Sequence, residues 1–373
     1  MVRFEGREAI TEGRLTVPGT VHQSLDNVAH RLATVMGPWS HADTTRDWDL
    51  RSEDIALVRV YGISGSISVR GVSGDRASLH VRKVVHIPQV GAAEAFVSRI
   101  RVRVRSRDQG LYVRVLHPRP PLGGRVFVHL TLQVPHAVDV DLRTGRGPLS
   151  VRRVEGAVQA HTRAGNVAVR DCLGPITLES GDGILDVADV EGGVDLQGGR
   201  GLIRLDTITG RVRVQADRAD LTATGIRGRL DAKVRQGSVD LSRGAGRVRL
   251  QVGTGDVRAA FTADHRDATV TNHRGPVRLS LGSVSGRIRA ETLQGDITLL
   301  LDSTFSGRLE AVTHAGRVHA ALPRPCPGSG VERLDVQVGG SGTAHVWMAS
   351  AAGDIYVKQR SNRRERSQEE ENG

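Results

Sequence analysis

Glycine returns every nine residues through the middle of this chain. Stepping from Gly147, the slots are Gly147, Gly156, Gly165, Gly174, Gly183, Gly192, Gly201, Gly210, Ala219, Gly228, Gly237, Gly246 and Gly255, so twelve of thirteen hold glycine. The residue two places on is aliphatic in every case, from Leu149 and Val158 to Val248 and Val257. The residue four places on is apolar in every case, and the residue between them is polar in all but one, Ala168. Alternation with period two marks a strand buried on one face. Glycine at each slot supplies a turn that a side chain would obstruct. Strands this short cannot make an independent sheet, so they must stack.

A second period lies inside the first. Seven residues past alternate slots stand Val154, Cys172, Val190, Ile208 and Ile226, and then Gly244 ends the run. The intervening slots carry Arg163, Gly181, Gly199, Asp217 and Arg235 there. The full coil therefore spans two slots and has two unlike halves, one corner plugged by an aliphatic side chain and the other open or polar. The fold class that follows is all-β: a flat, two-sheet parallel β-solenoid of 18-residue coils built from nine-residue half-coils. Each coil climbs one strand spacing, ~4.8 Å. Beyond Gly255 the unit continues at Gly275, Gly286, Gly295, Gly307 and Gly316, with insertions; the break Pro323-Arg-Pro-Cys-Pro327 follows, and the unit resumes at Gly342 and Gly353.

This pattern organises the rest of the chain. Residues 1–56 form an N-terminal segment, in which Val21–Met36 has helical spacing and suits a cap over the solenoid's unpaired edge. Residues 57–146 are irregular β, with one early copy of the unit at Gly65-Ser-Ile-Ser-Val69 and a short helix over Ala92–Ile100. Residues 147–322 are the regular solenoid, 323–357 are C-terminal strands, and 358–373 are a disordered, charged tail. Length alone suggests two average domains; the period suggests one elongated solenoid. The composition fits a thin interior, since there are 45 glycines but only 11 Phe, Trp and Tyr together among 373 residues.

The residues just described resemble a bacterial β-strand-repeat family of unknown function whose members are often labelled putative adhesins. The resemblance rests on Gly65-Ser-Ile-Ser-Val-Arg-Gly-Val-Ser-Gly-Asp75, on Leu132-Gln-Val-Pro135 leading into Leu142-Arg-Thr-Gly-Arg-Gly147, and on alternating half-coils such as Val154-Glu-Gly156 and Thr162-Arg-Ala-Gly165. It covers about Leu57 to Val357. It implies a solenoid with no defined ligand, and relatives that are often exported or tied to envelope stress. The opening stretch of this sequence lacks the apolar core of a secretory signal, so the expected location is cytoplasmic, with envelope association as the alternative.

Catalytic and metal chemistry find little support. Calcium-binding β-rolls share the 18-residue coil but need an aspartate where Gly198-Gly-Arg-Gly-Leu-Ile203 has Ile203. Sugar-cleaving β-helices want aromatic platforms and paired carboxylates. No G-x-S-x-G, phosphate loop or dinucleotide fingerprint occurs. Cys172 fills a plugged corner and reads as a small buried hydrophobe. No catalytic residue, cofactor or metal is expected.

Charge is the remaining signal. Lys and Arg number 52 against 41 Asp and Glu, a net +11. Read at the period of the full coil, one sheet carries Arg211, Arg229 and Arg247 in one outward column and Arg213, Asp231 and Arg249 in the next. The other sheet carries Asp220, Ser238 and Asp256 beside Thr222, Asp240 and Arg258. The sequence therefore predicts a basic face whose binding residues are Arg211, Arg213, Arg229, Arg247 and Arg249. It suits an anionic glycan, a lipid surface or a protein partner better than nucleic acid, which wants interleaved aromatics. The expected function is a non-catalytic binding or scaffolding module. A self-assembling, bactofilin-like polymer and a polysaccharide-active β-helix enzyme are the alternatives, and the oligomeric state is open.

Overall fold

The protein is described by a computed structural model that covers residues 8–10, 40–51, 55–74, 76–89, 91–107, 109–322, 332–340 and 342–360. The expected capping helix at Val21–Met36, the break at 323–327 and the tail beyond 360 lie outside the described residues. The chain divides into two compact units, Met1–Gly174 and Pro175–Gly373.

The first unit holds two mixed sheets. In one, Arg101–Arg107 and Gly110–Leu116 form an antiparallel hairpin. Leu57–Tyr61, Asp139–Arg146 and Val158–Ala164 then follow in parallel. In the other, Ser40–Arg51, Arg76–Ile87 and Arg125–Pro135 are antiparallel. Ile67–Val72, Leu149–Arg152 and Val167–Cys172 continue it in parallel. The early copy of the repeat is thus a true coil member, with Ile67 in register with Leu149 and Leu149 with Val167. The short helix, Ala92–Val97, buries Ala93, Phe96 and Val97. Val58, Val60, Val113 and Leu142 are buried from one sheet, and Val69, Leu79, Leu132 and Val151 from the other.

The second unit is the β-solenoid that the period predicts. Ile176–Glu191 pairs in parallel with Val194–Gln236 at an offset of 18, from Ile176↔Val194 to Val190↔Ile208. Leu221↔Val239 keeps the same offset. Between Val239–Thr254 and Val257–Arg274 the register slips, so that Val239 faces Val257 while Arg247 faces Asp267. From there the coil is longer by two, with Val257↔Val277 and Val277↔Ile297. The slip falls where the aliphatic plug fails. Val190, Ile208 and Ile226 fill one corner; Gly244 comes next, and its ladder partner is the buried ring of Phe261.

One glycine shows why the slot is so strict. Gly201 has φ +135°, a conformation that L side chains rarely adopt, and a Cβ there would lie 2.0 Å from the carbonyl oxygen of Gly183, one coil away. Shape as well as φ therefore excludes larger residues. A second special column carries no such marker. Arg153 and Asp171 in the first unit, and Asp189, Thr207 and Arg243 in the second, all have φ between +51° and +57°, with Gly225 at +66°. They recur once per coil, each directly before the corner that an aliphatic plug or Gly244 occupies. L-residues in the left-handed region cost about 1–2 kcal/mol each.

The C-terminal coils depart from sequence order. Reading the repeat linearly would place the coil starting at Gly342 after the one starting at Gly307. Instead Ala344–Ala352 lies between Arg287–Gln294 and Gly307–Ala315, parallel to both. Ile355–Gln359 likewise lies between Ile297–Leu301 and Val318–Ala321. The strand Arg333–Val338 runs antiparallel along the free edge of Gly307–Ala315. The chain skips a level, builds the next, covers its edge and returns to fill the gap. Met348 lies at the centre of the inserted strand, fully buried, with Ala290 and Ala311 as its neighbours in the two flanking strands.

Candidate binding surface

Strand alternation puts the five arginines singled out by the sequence on the outward face of one sheet of the second unit, all exposed. Three meet carboxylates. Arg213 Nη1 lies 3.5 Å from Asp195 Oδ2. Arg229 Nε donates to Asp231 Oδ2 at 2.8 Å, a bond that raises the pKa of the guanidinium further. Arg247 Nε stands 3.6 Å from Asp267 Oδ2. Arg211 and Arg249 have no carboxylate within ion-pair distance among the described residues. The face is therefore mixed rather than uniformly basic: one column alternates as Asp195, Arg213, Asp231 and Arg249, while the other stacks Arg211, Arg229 and Arg247 before reaching Asp267. Ion pairs this exposed stabilise little and are easily exchanged for another anion.

At the edge of the same sheet the open corner forms a groove of about 780 Å³. Gly181, Gly198, Gly199, Ala216 and Gly253 line it with little side chain; Gln197, Gln215, Lys233 and Gln251 stand along it one coil apart. Asp217 and Arg235 also line the groove, where they pair, and this holds the aspartate below the usual carboxylate range. In the first unit Cys172 is buried, and burial pushes its thiol up, away from reactive thiolate. Among the described residues no group of three or more His, Cys, Asp or Glu could hold a metal ion, and no helix is long and apolar enough to cross a membrane.

The first unit carries a second charged surface that column counting in the regular repeat does not reach. On its mixed sheet Arg103 faces Arg114, Arg105 faces Tyr112, and Tyr112 faces Arg59. Asp141 is the carboxylate at the centre of this face, 5 % exposed, with Arg59 Nε at 2.8 Å and Arg143 Nε at 3.1 Å. Arg59 lies over the ring of Tyr112 and Arg143 over that of Tyr61. The sequence signal was present in the alternating Arg101-Val-Arg-Val-Arg105, but it stands outside the nine-residue period.

Three solved structures are similar to this chain. A putative cell adhesion protein from Clostridium sporogenes is 8 % identical, with TM-score 0.20, covering 86 % of this chain and 100 % of its own. A putative adhesin from Bacteroides fragilis is 10 % identical, with TM-score 0.20, covering 87 % and 97 %. A putative adhesin from Parabacteroides distasonis is 8 % identical, with TM-score 0.22, covering 87 % and 98 %. No curated protein matches the chain. Residues 98–358, which span most of the coils in both units, match the family model described as Toastrack DUF4097, and the chain belongs to that family.

Proposed function

We propose that this protein is a non-catalytic binding module that docks an anionic ligand on the outward arginines of its second unit. The observation that carries this reading is the state of Arg211 and Arg249. Both are exposed on a sheet that holds side chains in columns about 4.8 Å apart, and both lack a carboxylate partner among the described residues. Around them Arg213, Arg229 and Arg247 keep only exposed ion pairs. A flat array of guanidinium groups suits bidentate recognition of carboxylate, sulfate or phosphate.

The test is binding to polygalacturonate and to anionic lipid vesicles across a salt series. Binding should weaken steeply with salt and fall at least fivefold in the Arg211→Ala/Arg249→Ala double variant. Asp231→Asn should strengthen it by releasing Arg229. Absence of salt-dependent binding to either probe would overturn the reading.

A further inference from the structure

The hairpin Arg101–Arg107/Gly110–Leu116 closes one side of the first unit's mixed sheet and leaves the outer edge of Arg101–Arg107 without a strand among the described residues. Seven residues make a long edge, and an open edge is a template for another chain. Its geometry says which groups are available. Arg107 pairs with Gly110 at the tight end of the hairpin, where Gln109 has φ +58°, and such a closing pair is hydrogen-bonded. Main-chain groups alternate along an antiparallel ladder. Those of Arg101, Arg103 and Arg105 therefore point to the hairpin partner, and those of Val102, Val104 and Ser106 point to the open edge.

The side chains alternate as well. Arg101, Arg103 and Arg105 are exposed on the outer face. Val102 and Val104 point the other way and are only partly covered, although their partners Val115 and Val113 are 3 % and 0 % exposed. An edge protected by charge alone needs neither the inward valines nor an apolar surface left part-covered.

We propose that this edge is a β-augmentation site for an extended acidic segment of a partner protein, one that alternates carboxylate with β-branched residues. Its main chain would bond Val102, Val104 and Ser106, its carboxylates would lie beside Arg101, Arg103 and Arg105, and its apolar side chains would complete the cover over Val102 and Val104. The proposal is independent of the second unit's arginines.

The experiment uses the full chain and labelled peptides of three kinds, all of equal charge, read by fluorescence anisotropy. The first is Asp-Val-Asp-Val-Asp-Val-Asp. The second is the same peptide N-methylated at alternate residues, made in both registers. The third is a block peptide of the same composition. The alternating peptide should bind at least tenfold more tightly than the block peptide, and N-methylation in one register should abolish that advantage. Val104→Pro removes an outward N–H on an edge strand and should abolish binding with little change in Tm, while Arg103→Ala/Arg105→Ala should weaken it at least fivefold. Equal binding of all peptides, or full competition by polyglutamate, would show a charge patch only and overturn the proposal. So would no binding of the alternating peptide at low salt. Because Arg211 and Arg249 play no part here, their double variant should bind this peptide as the parent chain does.

Discussion

The two units use arginine differently. On the second unit's outer sheet, arginines are set against carboxylates at nearly every level, as Arg213 with Asp195, Arg229 with Asp231 and Arg247 with Asp267. On the first unit's mixed sheet, Arg103, Arg105 and Arg114 gather at one side, and Asp141, between Arg59 and Arg143, is the carboxylate at the centre. The backbone differs in step. The second unit steps through parallel strands in 18- and then 20-residue register as far as Ile297–Leu301 and has one antiparallel strand, Arg333–Val338, at the edge of Gly307–Ala315, while the first builds its outer strands antiparallel. A repeated coil stacks outward side chains in columns at strand spacing, where equal charges repel. Interleaved aspartates relieve that repulsion in the repeat. Antiparallel strands outside the repeat escape the constraint, and there the unbalanced charge collects.

The sharpest way to break this contrast is through the turn glycines. Gly201 in the repeat and Gly74 in the first unit both have strongly positive φ, +135° and +114°. A Cβ at Gly201 meets backbone at 2.0 Å, whereas one at Gly74 meets nothing within 4 Å. Gly201→Ala therefore incurs strain and overpacking together, and should cost about 3–5 kcal/mol in chemical denaturation. Gly74→Ala incurs strain alone, about 1–2 kcal/mol. Equal losses would mean that coil stacking adds nothing to the demand for glycine.

Next in size is the inserted coil. Met348 is a large side chain with alanine at the matching position on either side, so Met348→Ala leaves three small residues in a row. The expected cost is about 2–4 kcal/mol. Hydrogen exchange should show the loss of protection spreading into both Arg287–Gln294 and Gly307–Ala315. Loss confined to Gly307–Ala315 would contradict the insertion and restore a linear order of coils.

A smaller effect of opposite sign is expected at the left-handed corners. Thr207 is β-branched and holds φ +51°, in a column where Gly225 stands one coil later. Thr207→Gly should stabilise the second unit by about 0.5–1 kcal/mol, the relief of left-handed strain less the entropy that glycine loses on folding. Arg153→Gly is the matching change in the first unit. A gain in Tm at both would make the corner a common device, whereas a loss would show that these side chains repay their strain.

Much of this was legible from the period, because a coil that places Gly201 beneath a neighbouring carbonyl tolerates nothing else. The fold class and the 18-residue register both come from that demand. What was not legible depends on space rather than pattern. Asp267 follows Arg249 by one regular coil, so column counting sets them side by side; the two-residue slip instead moves Asp267 beside Arg247 and leaves Arg249 next to Thr269. The corner residues Arg153, Asp171, Asp189, Thr207 and Arg243 share a conformation but no chemistry, so only φ reveals them. The motif starting at Gly342 reads alike whether its coil is last or inserted, and only the pairing of Ala344–Ala352 with both Arg287–Gln294 and Gly307–Ala315 shows which.

The smallest effect separates the units by pH. The first unit contains His86, part-buried, with its ring centroid 4.7 Å from that of His41 and tilted to it, and His129, whose Nδ1 lies 2.8 Å from Ser66 Oγ. Burial lowers the pKa of both, aided by the positive charges of His41 and Arg125 at His86 and of Arg82 at His129. A histidine whose folded pKa is depressed binds protons more readily when unfolded. Its contribution to stability is present above the unfolded value, about 6.5, and is lost as pH falls through the folded value. In the second unit the depressed groups are carboxylates such as Asp217 and Asp354, so its stability holds until pH falls toward and below about 4. Between pH 7 and pH 5, hydrogen exchange should therefore show opening in Arg76–Ile87 and Arg125–Pro135 but not in Val194–Gln236. His86→Gln/His129→Gln should flatten that response, and an unchanged pH profile in the double variant would remove histidine as its cause.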